Sequence, residues 1–416
     1  MMYKIVKTLF YSFIPVMVGA IAISCGNNQS QETPPPVPPQ PKVDTSKKAP
    51  APPKPVSKQA LDTVTPNRKY NDIARYIAGM KQLPGSTLPA TLEKDTVWIR
   101  FAKTFDSEWA HDKATRLDPM ASWGNTELAE QHKANLDVFY PFSGPDILHA
   151  NVLFPQAKRY HLYGLERAGA LPYLNKMKIK NVESYLEEVY TSLSDILTKS
   201  YFITKNMLND LQQNNVNGTL PLASIFLVRS GYQIVNVKYF HINEDGTEVQ
   251  LKKDSVPVHS NDFVKVYFKH DKDSTVQVMS YLKCDLSDGG LQKNKGVTAW
   301  LDAMPVSYTY IKSASYLLHN PFFSAMRAVI LKKSQTILQD DTGMPYKYLP
   351  GKDWNLAFYG AYIMPVSSFP RGFYQTDLQK AYHNADSLKQ LKKLPFSLGY
   401  HWGSSVQNLM KAERKG

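Results

Sequence analysis

Residues 34–55 hold ten of the chain's 28 prolines, as PPPVPPQP over 34–41 and PAPPKP over 50–55. Missing amide donors and a fixed φ exclude helix and central strand from this stretch. It therefore divides the 416-residue chain, leaving about 359 residues after Ser57 to supply the fold. The expected state of the divider is an extended polyproline-like tether. At about 3.1 Å per residue, Cys25 to Ser57 reaches roughly 100 Å. The body that follows exceeds what one core usually accommodates, so one large domain with an insertion, or two packed lobes, is expected. With 43% hydrophobic and 12% aromatic residues it has ample apolar surface to bury, and two cysteines exclude a disulfide framework.

Ahead of the tether, Lys4 and Lys7 precede an uncharged run from Thr8 to Ser24 that is rich in Leu, Ile, Val, Phe and Met. Basic start and apolar middle together read as a secretory signal over residues 1–24. The run ends at Ala22-Ile23-Ser24-Cys25 and turns polar at once through Gly26-Asn27-Asn28-Gln29-Ser30. This junction resembles the lipobox of bacterial lipoproteins. The resemblance implies cleavage before Cys25, a diacylglycerol on its sulfur and an acyl group on its amine. Several acyl chains anchor stably where one is marginal, since each buried methylene adds about 0.8 kcal/mol. The competing reading is an uncleaved membrane anchor, for which an apolar run of about 17 residues interrupted by Pro15 is short. Residues 25–57 then form a lipidated linker that holds the body away from a membrane, with the outer membrane's periplasmic side the expected place.

The formal charge of +13 falls to about +11 once Lys4 and Lys7 are removed with the signal. Such a balance favours anionic neighbours: lipid head groups, acidic glycans or lipopolysaccharide. The basic residues are dispersed and carry no nucleic-acid motif, so nucleic acid is not an expected partner.

Three segments follow from the hydrophobic pattern. Residues 58–225 form a helical and α/β half: helices to about residue 130, then strand-like Leu136 to Tyr140, a turn, a short helix Ile147 to Phe154, and a strand ending at Glu166. Asn181 to Gln213 keeps helical spacing, as one long helix or two stacked ones. Residues 226–295 alternate, with Tyr232–Ile242 meeting Thr247–Leu251 across an Asp-Gly turn and a second hairpin around Asp271-Lys272-Asp273, which makes an antiparallel meander. Residues 296–416 return to α/β, with helix over Val297–His319 and Phe322–Lys333 and strands near Thr336–Gln339, Leu356–Ile363 and Phe396–His401. The fold class expected is mixed α/β, a Rossmann-like layered mixed sheet carrying an antiparallel β-meander.

Three segments could carry chemistry. YPFSGPD over 140–146 ends a strand and opens a helix, and Glu166 stands 22 residues beyond Gly144, as in a nucleotide-binding unit. One glycine stands where the dinucleotide fingerprint needs three, so a plain α/β layer unit without cofactor is expected. Ser143 lacks the Gly-x-Ser-x-Gly frame of a nucleophile elbow and reads as a turn serine. Lys312, Ser315, Tyr316 and His319 fall at i, i+3, i+4 and i+7. They would line one helix face, either as proton-transfer groups or as an ordinary solvated stripe. Gln339-Asp340-Asp341-Thr342-Gly343 contains Asp-Thr-Gly but lacks the paired copy that aspartic proteases require. It reads as a turn with Gly343 at positive φ. Ten histidines show no metal-ligand spacing, and no metal is expected. Cys284, beside Asp285, reads as a buried structural thiol.

Taken together, YPFSGPD, Gly164-Leu165-Glu166, Lys312 to His319 and Gln339 to Pro345 resemble a bacterial envelope protein family to which no activity is attached. The functional expectation is a lipid-anchored envelope protein that binds a glycan or another envelope component. The alternative is an envelope hydrolase using Ser143, Asp146 or His149 with Lys312, Tyr316 or His319.

Overall fold

The computed structural model describes residues 64–202, 216–252, 259, 261–369, 371–404 and 406–416. The expected leader, Cys25, the expected proline-rich tether and residues 203–213, for which helical spacing was read, lie outside the described residues. The described residues from Val64 onward belong to one unit. It opens with helices α1 (Arg68–Ile77), α2 (Thr96–Asp112), α3 (Asp118–Glu127) and α4 (Ala129–Ala134), with one π-helical turn at Lys113–Leu117 between α2 and α3. Then come β1 (Asp137–Tyr140), α5 (Ile147–Leu153) and β2 (Arg159–Gly164), the strand, turn, helix, strand unit legible in the sequence.

Helix α6 (Ile179–Lys199) ends where Ser200 adopts φ 66°, and α7 (Leu220–Arg229) is buried from Leu220 to Val228. The meander follows as β3 (Tyr232–Ile242), β4 (Glu248–Gln250), β5 (Asp262–His270) and β6 (Val276–Lys283). Helices α8 (Asp288–Lys293) and α9 (Lys295–Ala303) lead to β7 (Ser307–Ile311). The chain closes with α10 (Ser324–Lys333), β8 (Ser334–Gln339), β9 (Trp354–Gly360), α11 (Thr376–Ser387) and β10 (Asn408–Arg414). None of the described helices is long and apolar enough to cross a membrane.

All ten strands join one mixed sheet in the order β4-β3-β5-β6-β2-β1-β7-β8-β10-β9. Its centre, β6-β2-β1-β7-β8, is parallel. Antiparallel pairs flank it, β3 to β5 with β6 on one side and β10 between β8 and β9 on the other. Central strands are buried on both faces, as β1 and β7 are at every residue, because crossover helices cover both sides. Alternate residues feed two cores. Val138, Tyr140, Tyr160, Leu162, Tyr308 and Tyr310 face α5 and its neighbours, while Phe139, Tyr163, Leu282, Ile311 and Ile337 face α10.

The chain winds outward from β1 through β2 to β6, then returns to lay β7 against the other side of β1 and β8 beyond it. The winding direction reverses between β1 and β7. In open α/β sheets the loops on the two sides of such a reversal splay apart at the carboxyl ends of the strands and leave a crevice. The fold thus fixes in advance where a site can form.

Two expectations fail around this point. Val297–His319 is not one helix, because Pro305 stops it and Ser-Tyr-Thr-Tyr-Ile, alternating and rich in β-formers, becomes β7. Phe396–His401 is not a strand: Gly399 turns at φ 63° into a short 3-10 segment, and the last strand is β10 instead.

Candidate functional site

Four loops meet at the carboxyl ends of β1, β2, β6 and β7, and they line a cleft with about 890 Å³ of empty space, its open mouth included. Phe142, Leu165, Phe202, Leu286, Leu317 and Phe323 give it apolar walls, and Asp146, Glu166, Asp285 and Lys312 bring charge to it.

At the cleft, Asp146 caps α5 by accepting the His149 N–H at 3.1 Å. Its carboxylate also takes the His149 ring Nδ1 at 2.9 Å, the Tyr140 hydroxyl at 3.1 Å and the Lys312 ammonium at 2.9 Å. Lys312 reaches it because β7 ends at Ile311 beside β1, and its Nζ also donates to the Ser200 carbonyl at the end of α6. Burial opposes the charge on Asp146, but His149 and Lys312 outweigh it and hold the carboxyl far below the usual carboxylate range. Burial pushes His149 down to about 4 despite Asp146, so the ring is neutral at pH 7. At that pH the charge of Asp146 rests on Lys312 and on the N–H and O–H donors. Since the ionised carboxylate takes Nδ1–H, the ring's Nε2 is left as an acceptor. It is buried and has no partner among the described residues. Burial also lowers Lys312, against the pull of Asp146.

Behind the cleft a second buried pair continues this network. Arg116, from the π-helical turn, lies 3.0 Å from Asp112 and donates to the Ile196 and Thr198 carbonyls, which closes the C-terminus of α6. Two ion pairs therefore fix the end of α6, from which Tyr201 and Phe202 run into the cleft wall. The Asp112 to Arg116 spacing was visible in the sequence, but on a helix it also fits a surface pair.

Ser143 is in the cleft but committed elsewhere. Its Oγ donates to the Tyr163 carbonyl and accepts the Tyr163 N–H, both at 3.0 Å, which laces the β1 turn to β2. Cys284 is buried, and burial, with Asp285 adding to it, pushes its thiol up to about 12.

Tyr316 and His319 do not share a helix face with Lys312. Ser313, Ser315 and Tyr316 have φ of 51°, 50° and 54°, and helix resumes only as a 3-10 turn at Leu317–His319. The left-handed run is held from β8: Ser313 N–H donates to Asp340 and Ala314 N–H to Thr342 Oγ1. Side chains that a helix would stack diverge in consequence. Lys312 turns into the β1–β7 cleft, and Tyr316 donates to Asp341 at 2.6 Å while stacking on Phe373 at 4.8 Å. His319 packs edge-on against Tyr316 and Phe373, and burial lowers it to about 4.

Asp341 gathers a separate cluster, accepting from Asn408 at 2.9 Å and paired with His401 at 3.2 Å. Burial and the neighbouring Asp341 push Asp340 up, and it accepts from Thr342 instead. Gly343 is not at positive φ. A Cβ there would crowd the Gln339 side chain, 2.6 Å from its Oε1 and 3.0 Å from its Cβ. Among the described residues no group of three or more His, Cys, Asp or Glu side chains is set to hold a metal ion.

Of the residues singled out in the sequence, the structure brings Ser143, Asp146, His149 and Lys312 together and sends Tyr316 and His319 to the Asp341 cluster; Cys25 lies outside the described residues. Sequence reasoning missed Tyr140, Asp112, Arg116 and Ser200, whose burial and shared network arise only from tertiary packing. Compared with protein-family models, curated proteins and solved structures, the chain matches none.

Proposed function

We propose that this is a lipid-anchored protein of the bacterial envelope whose body captures a small molecule in the cleft between β1 and β7. Support for anchoring comes from the lipobox-like junction at Cys25 and the proline-rich tether after it. Support for capture rests on one observation: an apolar-walled cleft with a few convergent polar groups, placed where the winding of the sheet reverses.

Binding fits these groups better than hydrolysis. A hydrolase of the Ser-His-Asp kind needs its hydroxyl on the imidazole, and Ser143 spends its hydroxyl on the Tyr163 backbone. His149 is oriented by Asp146 as a catalytic base would be, but its ring is fully buried. A thiol held near 12 is a weak nucleophile at neutral pH.

The test is native mass spectrometry of the purified protein after incubation with a small-molecule extract of the producing cells. Leu165→Trp, at a half-exposed position on the cleft wall, serves as the blocked control. A retained mass that the blocked variant loses is expected. Retention of nothing, or equal retention by both proteins, overturns capture, and recovery of a cleaved product shows a hydrolase instead.

A further inference from the structure

We infer that the molecule captured in the cleft is an anionic amphiphile. Its apolar part lies between the cleft walls, and its phosphate or carboxylate head rests on lysines of a neighbouring groove. This rests on the cleft being a capture site and adds the ligand's class.

Two hollows lie side by side on the carboxyl edge of the parallel strands. The second is bordered by the loops after β2, β3 and β6, by the start of β5 and by the link from α8 to α9. It encloses about 1850 Å³ of empty space, its open side included. Because β2 and β6 are neighbours in the sheet, the residues that follow them, Leu165, Cys284 and Asp285, line both hollows. Leu165 is 49% exposed and Asp285 is exposed, so the border between the two is open to solvent and one ligand can cross it.

The hollows differ in chemistry. Around the cleft the walls are apolar, and the cation that lines it, Lys312, is 2% exposed and committed to Asp146. An anion gains nothing there. The groove presents Lys283 from the end of β6, Lys293 from the end of α8 and Lys295 from the start of α9. All three are exposed, and none makes a hydrogen bond or ion pair among the described residues. Of the acids in the groove, Asp262 is 3% exposed and is already held by the His241 ring at 2.7 Å and the His259 N–H at 2.9 Å. Asp285 and Glu244 then face Lys283, Lys293, Lys295 and Arg167, a positive balance that attracts an anion. Lysines act on phosphate or carboxylate as point charges and need no planar fork geometry.

The apolar surface continues outward from the cleft. Phe323 on its wall packs against Phe142 at 6.0 Å and against Phe322 at 5.5 Å, and Phe322 is 56% exposed. With Leu165 it offers apolar area that a hydrocarbon group would cover on entry. A wholly polar anion leaves this area wet, and a wholly apolar molecule leaves the three lysines unused. An amphiphile satisfies both.

The experiment is isothermal titration of the full-length protein in phosphatidylcholine nanodiscs, corrected against empty discs, with hexyl phosphate, 1-hexanol and inorganic phosphate. Hexyl phosphate should bind saturably, and about tenfold or more tighter than either 1-hexanol or phosphate. Lys283→Gln, Lys293→Gln and Lys295→Gln together should bring it down to the level of 1-hexanol. The same change at Lys81, Lys94 and Lys103, which are exposed and outside the groove's lining, should leave it unaltered. Hexyl phosphate that binds no tighter than 1-hexanol, or no tighter than phosphate, overturns the assignment, and both comparisons use the unaltered protein. Equal losses in the two triple variants overturn it as well, since net charge alone would then explain the binding. If no probe binds while a mass blocked by Leu165→Trp is still retained from extract, the amphiphile assignment falls and capture stands. If neither is seen, both fall.

Discussion

Lys312 Nζ lies 2.9 Å from Asp146 Oδ2, with both side chains 2% exposed. The pair spans the place where the sheet's winding reverses, tying the end of β7 to the cap of α5. Removing one member of such a pair strands a charge in the interior, which typically costs about 3–5 kcal/mol, whereas removing both is often close to neutral. Lys312→Met should therefore destabilise by about 3–5 kcal/mol. Asp146→Asn with Lys312→Met should recover most of this, because Asn can still cap α5. Urea unfolding of the two single variants and the double gives the coupling, and strictly additive losses would show that the pair does not act as a unit.

Ser143 supplies a contrast within the same turn. Its hydroxyl accepts the Tyr163 N–H and donates to the Tyr163 carbonyl, which also takes the Ser143 and Gly144 N–H groups, so Ser143→Ala should cost about 1–3 kcal/mol of stability, chiefly by leaving the Tyr163 N–H unpaired. Ligand capture at a temperature well below unfolding should be preserved. Loss of a chemical turnover with stability intact would instead make Ser143 a nucleophile and favour the hydrolase.

Cys25→Ser tests the anchor independently of the cleft. Without the thiol the proposed lipid has no point of attachment, and the uncharged run from Thr8 to Ser24 is short for a stable span. The variant should leave the detergent phase on phase separation, and continued partition with the membrane fraction would count against lipidation.

Local pattern carried the parts of the fold that depend on neighbours in sequence. The β1–α5–β2 unit, the meander from Tyr232 to Lys283 and the α2 stripe of Trp98, Phe105 and Trp109 all read directly, because periodicity reports which face is buried. Lys312 to His319 shows where that stops. Its helical spacing is real, but backbone hydrogen bonds from Ser313 and Ala314 to side chains at the end of β8 override it, and those partners are about 27 residues away. Strand order is likewise a tertiary fact. Asp146 and Lys312 meet only because β7 returns to the side of β1, so their pairing could not be read from either segment.

His149, His319, Asp112 and Asp340, buried or half-buried, have shifts of opposite sign between pH 6.5 and 4, and separating them is a demanding test of their protonation states. His149 and His319 are lowered from 6.5 to about 4, so over that interval the unfolded chain takes up protons that the folded chain refuses. Their contribution to stability is complete above pH 6.5 and is lost as the pH falls toward 4. Asp112 and Asp340 are raised from 3.8 to about 6, chiefly by burial, so the folded chain takes up their protons first. Stability from these two is gained as the pH falls from about 6 to 3.8, which opposes the histidines across nearly the same window. The contributions of these four groups should consequently offset one another in large part there. His149→Asn removes one of the two losses, while its amide can still donate to Asp146. Measured by urea unfolding at pH 7, 6, 5 and 4, the stability of the variant relative to the unaltered protein should rise as the pH falls, by up to about 3 kcal/mol. Asp340→Asn should move the difference in the opposite direction. A gap between either variant and the unaltered protein that stays constant from pH 7 to 4 would mean that His149 and Asp340 do not titrate as their burial requires.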